Sequence, residues 1–121
     1  MEIVECPLPS SASASALRVL SVKGRIDQAG SEQFAPLLKP HLDGCTGNAP
    51  ALLLDFSGVD YISSVGLRVL MLASRQVKGQ GGKIAIAALT PVVAEVFQIS
   101  RFNLVFQVFA SIDAAIVGLS A

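Results

Sequence analysis

Two adjacent serines, Ser63 and Ser64, are the residues of this chain whose type and position can carry chemistry. They lie within Leu52 to Leu70 (LLLDFSGVDYISSVGLRVL), after an apolar run and a polar turn, where a helical pattern begins. One serine at such a place is explained by capping. Its hydroxyl accepts a bond from the unbonded amides of the first helical turn. Two serines in succession need only one cap. If Ser63 caps, Ser64 takes the first helical position and its hydroxyl can face outward. A phosphate there would sit in the partial positive field of the helix start and bring roughly −1.5 to −2 charges to a surface. Such a group changes binding without unfolding the protein. Position alone favours the simpler view, that both serines cap and do nothing more.

Other chemistry finds little support. A nucleophilic serine needs a positioned base, and the single histidine, His41, lies near the end of a different helical segment. Residue 62 is Ile, so Ser64 lacks the GxSxG elbow. Neither a Walker A sequence nor GxGxxG occurs, and no cofactor is expected. Cys6 and Cys45 have no CxxC spacing and cannot complete a zinc set with His41 alone. Two reduced thiols and no metal are expected.

Nine basic and nine acidic residues cancel, which argues against direct nucleic-acid binding and against an anionic membrane surface. Glu2 and Glu5 interrupt any signal-peptide core. Arg68 and Arg75 break the most apolar middle segment, and Gln107 and Asp113 break the last, so membrane insertion is not expected. The mean hydropathy of +0.62 then points to a buried sheet with helices. A cytoplasmic location follows by elimination.

The elements that must position the serines are legible from periodicity. An N-terminal strand and a flexible Ser/Ala connection occupy residues 1–16, with SSASAS at Ser10 to Ser15. Leu17 to Lys23 reads as a strand closed by Gly24. Gln28 to Asp43 has helical spacing in Phe34, Leu37, Leu38 and Leu42, with Gly44 as a stop. Pro36 and Pro40 predict that this helix is kinked or shortened. Ala51 to Phe56 reads as a strand covered on both faces, and Ser64 to Lys78 as the next helix. Lys83 to Leu89 is a further buried strand. Thr90-Pro91 starts a helix running to about Ile99, with Thr90 as cap. Leu104 to Phe109 is a strand, and Ser111 with Asp113 opens a C-terminal helix. The order is a leading strand and four strand–helix units: one α/β domain over 1–121, with a mixed, mostly parallel sheet of about four to five strands and about four helices. Functional groups of such sheets sit beyond the carboxyl ends of the strands, where Ser63 and Ser64 fall.

Asp55-Phe56-Ser57-Gly58-Val59 followed by Ser63-Ser64-Val65-Gly66-Leu67 resembles the signature of the STAS family, in particular its bacterial anti-sigma factor antagonists. Gly24-Arg25-Ile26-Asp27 is similar to the family's Gly-x-Leu-Asp, and Gly81-Gly82-Lys83 to its Gly-Gly turn. Leu89-Thr90-Pro91 through Val96-Phe97 is similar to its Ser-Pro helix. The resemblance runs in order from about Leu17 to the C-terminus. It implies a STAS fold, and a binding module that meets an anti-sigma serine kinase and is inactivated when that kinase phosphorylates Ser64, a phosphatase reversing the step. Ser63 is the second choice of acceptor. The alternative within the family is constitutive binding as an accessory subunit of a transporter, through its ATPase in a lipid-trafficking ABC system, or of a sensory assembly. Three positions depart from the pattern: Ser63 replaces the usual acidic residue, Val65 replaces Ser or Thr, and Arg101 replaces Gly, which suggests a different helix ending.

The surface expected to meet a partner comprises Asp27, Asp60, Tyr61, Ser63, Gly66, Arg68, Met71 and Arg75. Asp27 has two readings of equal weight, a partner contact and a helix cap. Asp55 reads as a turn former, and Asp60 and Tyr61 as loop residues before Ser63. Arg68, Met71 and Arg75 share a helix face with Ser64 by spacing. Two guanidinium groups keep that face from being wholly buried, and Met71 gives it an adaptable apolar spot. Val65, Val69, Leu72 and Ala73 are expected on the buried face. Phe102, Phe106 and Phe109 are expected in the core.

Overall fold

The computed structural model describes residues 2–6, 17–46, 51–104 and 106–120. The Ser/Ala connection lies outside them. The strands are β1 (Glu2–Cys6), β2 (Leu17–Ile26), β3 (Ala51–Ile62), β4 (Ile84–Ala87) and β5 (Gln107–Phe109). The helices are α1 (Gln28–Asp43), α2 (Ser64–Gly79), α3 (Pro91–Ile99) and α4 (Ile112–Ser120), with a short 3-10 turn at Phe102–Leu104. The sheet order is β1-β2-β3-β4-β5. β1 runs antiparallel to β2, and every later pair is parallel. The architecture is the expected mixed sheet with four helices.

Order and handedness together decide which helix covers which face. The crossovers from β2 to β5 all step in one direction, and a parallel crossover is right-handed. The helices α1, α2 and α3 therefore fall on one face. There Phe34, Leu38, Leu70, Ala73, Val77, Val93 and Phe97 pack on Leu20, Val22, Leu52, Leu54, Ile84 and Ile86. The opposite face is built from Val19, Ala51, Leu53, Ala85 and Ala87 and is covered by Ala115, Ile112 and Ile116 of α4, with Phe109. β3 and β4 are buried on both faces over Ala51–Leu54 and Ile84–Ala87, as their unbroken apolar runs require.

Several expectations are corrected. β2 does not close at Gly24: it passes through that residue at φ 123° and continues to Ile26. β3 does not end at Phe56 but runs twelve residues to Ile62, so Asp60 and Tyr61 are strand residues and not a loop. Two register shifts against β2 make this possible, between Ser21 and Lys23 and between Gly24 and Arg25. Each inserts an extra residue on β3, and each moves the inward phase by one. Phe56, Val59 and Ile62, spaced by three, consequently all reach the same core. Strand periodicity does not anticipate that spacing, which explains why the sequence reads as a turn.

The α1 helix is not shortened: Pro36 and Pro40 lie inside its sixteen residues. Both are exposed, as is Glu32, so the carbonyls deprived of a donor lie along one solvent-facing stripe, where losing a helix bond costs less than in the core. Thr90 stands at the cap of α3, but its hydroxyl makes no cap bond and instead donates to the Val59 carbonyl at 2.8 Å, tying α3 to β3. β4 is shorter than expected, with Ala88 at φ 61° beyond its end. The segment expected as a strand from Leu104 is strand only from Gln107, because the 3-10 turn carries Phe102 inward first. Phe102 and Phe106 are buried and stacked at 5.6 Å, whereas Phe109 is half-buried on the α4 face.

Candidate functional site

The extended carboxyl ends of β2 and β3 deliver the candidate site. The backbone amide of Ser63 donates to the Ile26 carbonyl at 2.8 Å, which pins the start of α2 to the last residue of β2. Ser63 is the N-cap in extended conformation, and its Oγ accepts from the Gly66 amide at 3.3 Å. The next residue, Ser64, begins the helix and is exposed. The cap and the outward hydroxyl are thus divided between the two serines as the spacing predicts.

Asp27 occupies the equivalent place one strand away. Its Oδ1 accepts from the Gly30 amide at 2.8 Å, capping α1, and the Ser31 hydroxyl donates to its carbonyl at 2.7 Å. Its other oxygen, Oδ2, lies 3.6 Å from Arg25 Nε. The Arg25 guanidinium lies over the Tyr61 ring, 4.4 Å from its centre, within the range of a cation–π contact. Arg25 and Tyr61 are register partners on β2 and β3. Asp27, Arg25, Tyr61 and Ser63 therefore form one polar edge beside Ser64. Sequence reasoning did not single out Arg25. Its signal was available, since it is the charged residue between Gly24 and Ile26 in the piece that precedes Asp27.

Below Ser64, the exposed side of α2 forms a groove of about 390 Å³ lined by Ser64, Leu67, Arg68, Met71, Leu72, Arg75 and Phe102. Arg68, Met71 and Arg75 are brought together with Ser64 as their spacing requires. Among the described residues, no ion pair or hydrogen bond engages the Arg68 or Arg75 side chain. Two apolar residues are not where the sequence reading puts them: Val65 and Leu72 are 43% and 50% exposed. The buried stripe runs instead through Gly66, Leu70, Ala73, Ser74 and Val77, so the helix is rotated and part of its apolar surface faces outward.

Gly66 is a further correction. It is buried, and a Cβ built on it would stand 2.6 Å from Ile26 Cγ2 and 2.8 Å from Ile62 Cγ1. It is a close-approach residue rather than part of the exposed surface. Asp60 is exposed on β3, outside the groove, and Asp55 Oδ1 accepts from the Ser57 amide at 2.9 Å, holding the first register shift. His41 Nδ1 lies 3.2 Å from an Arg18 guanidinium nitrogen, at the far end of α1. Cys45 is buried, its thiol donating to the Lys83 carbonyl at 3.3 Å, and burial pushes its pKa above the ordinary value. The Cys6 side chain lies outside the described residues. Among the described residues no group of three His, Cys, Asp or Glu could hold a metal ion, and no helix is long and apolar enough to cross a membrane.

Comparison with known proteins places this geometry among relatives. The family described as "Mlab, STAS domain" matches residues 11–107. BtrV of Bordetella bronchiseptica, which carries the name of an anti-sigma factor antagonist, is 35% identical over 97 residues, covering 80% of this chain and 81% of that protein. Anti-sigma-F factor antagonist RsfB of Mycobacterium tuberculosis is 29% identical over 101 residues, covering 84% and 80%. The crystal structure of an anti-sigma factor antagonist from Mycobacterium paratuberculosis superposes with a TM-score of 0.78 at 21% identity, covering 99% of this chain and 96% of that one.

Proposed function

This chain belongs to the STAS domain family, and on that premise we propose that it is a cytoplasmic anti-sigma factor antagonist working by partner switching. The observation that carries the proposal is the division of labour at the start of α2. Ser63 takes the cap, and Ser64 is left exposed at the head of the groove. The unphosphorylated protein binds an anti-sigma serine kinase through the polar edge and the groove, and so releases the sigma factor. The kinase then acts on its antagonist. The Ser64 hydroxyl oxygen attacks the γ-phosphorus of ATP, an oxygen–phosphorus bond forms, and the bond to ADP breaks. The hydroxyl proton passes to a base of the kinase. The negative charge added to an exposed face then ends the association, and a phosphatase hydrolyses the ester to reset it. In this scheme the chain is a substrate, not an enzyme.

The test is intact mass followed by site mapping on protein purified from its native cells under growth and stress. A single phosphate on Ser64, absent in Ser64→Ala, is the expected result. A second reading is favoured by one observation: Ser63 stands where the family's acidic residue precedes the acceptor. On that reading the chain is a constitutive accessory subunit of a transporter of the lipid-trafficking ABC type or of a sensory assembly. Protein that is unmodified under every condition, co-purifies with a transporter ATPase and keeps its function as Ser64→Ala would establish the second reading and overturn the first.

A further inference from the structure

The α2 helix is electrostatically one-sided. From Ser64 to Gly79 it carries Arg68, Arg75 and Lys78 and no acidic residue. Its two arginines line the groove that Ser64 heads, and neither has an internal partner among the described residues. Arg25, at the carboxyl end of β2, is differently placed. Its guanidinium is held between the Asp27 carboxylate and the Tyr61 ring, so its charge is partly answered already. Asp27 is itself committed to the Gly30 amide, and Asp60 lies outside the groove. The uncommitted cation nearest Ser64 along the helix is Arg68, four residues on and therefore one turn below on the same face.

We propose that a phosphate on Ser64 is held by the Arg68 guanidinium of the same helix, so that modification withdraws a positive charge from the groove as well as adding negative ones. The inference rests on Ser64 being the acceptor, and it concerns what the phosphate does once present. A guanidinium is the side chain best matched to phosphate oxygens, because its planar donors can meet two of them together. The helix start contributes in the same direction through its free amides. The groove of the unmodified protein presents two free guanidinium groups around Leu67, Met71 and Phe102, a surface fitted to an acidic, partly apolar segment. In the modified protein Arg68 is occupied internally and that segment has lost its leading counter-charge.

Protein carrying phosphoserine at position 64, installed during translation by an expanded genetic code, makes the test independent of any kinase or partner. The phosphate is titrated by phosphorus NMR in the parent and in Arg68→Gln, Arg68→Lys, Arg75→Gln and Arg25→Gln variants. An ion pair favours the dianion, so removing it raises the second phosphate pKa. Arg68→Gln is expected to raise the midpoint by roughly 0.3 pH unit or more, with Arg68→Lys in between, as an exposed i,i+4 pair allows. Arg75→Gln and Arg25→Gln are expected to leave it in place. All four changes are at exposed positions, and circular dichroism checks that each variant is folded. An unchanged midpoint in Arg68→Gln, or an equal rise in Arg25→Gln, overturns the proposal while leaving the role of Ser64 as acceptor intact. Conversely, native protein that is never phosphorylated would remove the partner-switching reading without altering the titration.

Discussion

Replacing Gly66 by Ala tests the closest helix–sheet contact of the site. The added methyl would stand 2.6 Å from Ile26 Cγ2, 2.8 Å from Ile62 Cγ1 and 3.2 Å from the Ile26 carbonyl oxygen. Carbon atoms in good contact lie about 3.5–4.0 Å apart, so the Ile26 methyl and the Ile62 methylene must retreat by roughly 1 Å within a filled core, or the start of α2 must lift. Overpacking of this kind costs about 1–3 kcal/mol. Alanine returns about 0.8–1 kcal/mol through its better helix propensity. The net expectation is a loss of up to about 2 kcal/mol, corresponding to a melting point lower by up to roughly 8 °C for a chain of this size. Gly79 supplies the internal control. It ends the same helix, and a Cβ there meets nothing within 4 Å. Gly79→Ala should therefore stabilise by about 0.4–1 kcal/mol. The two positions are far apart on the helix and share no contacts, so the double variant should show the sum. Urea denaturation gives all four midpoints, and a constant slope shows that the unfolded state is unchanged. A Gly66→Ala protein stabilised as much as Gly79→Ala, at the same slope, would refute the close approach of α2 to Ile26 and Ile62, and with it the placement of Ser64.

Three further outcomes follow from single contacts. Ser63→Ala should lose about 0.5–1 kcal/mol, the lower part of the range for an N-cap because the bond to Gly66 is long at 3.3 Å, whereas Ser64→Ala should stay within about 0.5 kcal/mol of the parent; equal losses would contradict the assignment of the cap. Arg101 ends α3 at φ 58°, so Arg101→Gly should raise stability by about 0.5–1 kcal/mol, and thermal unfolding that shows a loss would mean that the arginine side chain holds that turn. Burial holds the Cys45 thiol above its ordinary pKa of 9.0, so the folded protein keeps a proton that the unfolded chain releases. That contribution is complete below pH 9 and fades as pH rises through the folded value. Urea midpoints at pH 8 and pH 10 should accordingly fall more in the parent than in Cys45→Ala, and parallel behaviour would contradict it.

The helices and the buried strands were legible because a period of 3.6 and an unbroken apolar run are properties of the sequence itself. The Ser63–Ser64 division was legible for a related reason: capping is local chemistry over four residues. What the sequence did not disclose depends on the neighbouring strand. Val59 and Ile62 reach the core only because β2 continues beside them through Ile26 and the pairing shifts twice. A segment that looks like a turn in isolation is thus a strand in company. The rotation of α2 is of the same kind. Val65 and Leu72 fit an apolar stripe as well as Gly66 and Ala73 do, and the tie-breaker is the absence of a side chain on Gly66, which lets the helix lie down on that edge. The resemblance suggested that Arg101 marks a different helix ending. In fact the backbone there takes the left-handed conformation that a glycine would adopt, with an arginine bearing the cost.

The order of the strands also bears on how the molecule is made. Each strand pairs with the one synthesised just before it, so the sheet can lengthen as the chain leaves the ribosome, and no strand waits for a distant mate. Protection of its two faces is not equally timely. Three helices dress one face between successive strands, whereas Val19, Leu53, Ala85 and Ala87 of the other stay uncovered until Ile112–Ser120 has been made. Until that helix is made the growing sheet is therefore covered on one face only, and its bare side is the one a ribosome-associated chaperone would meet.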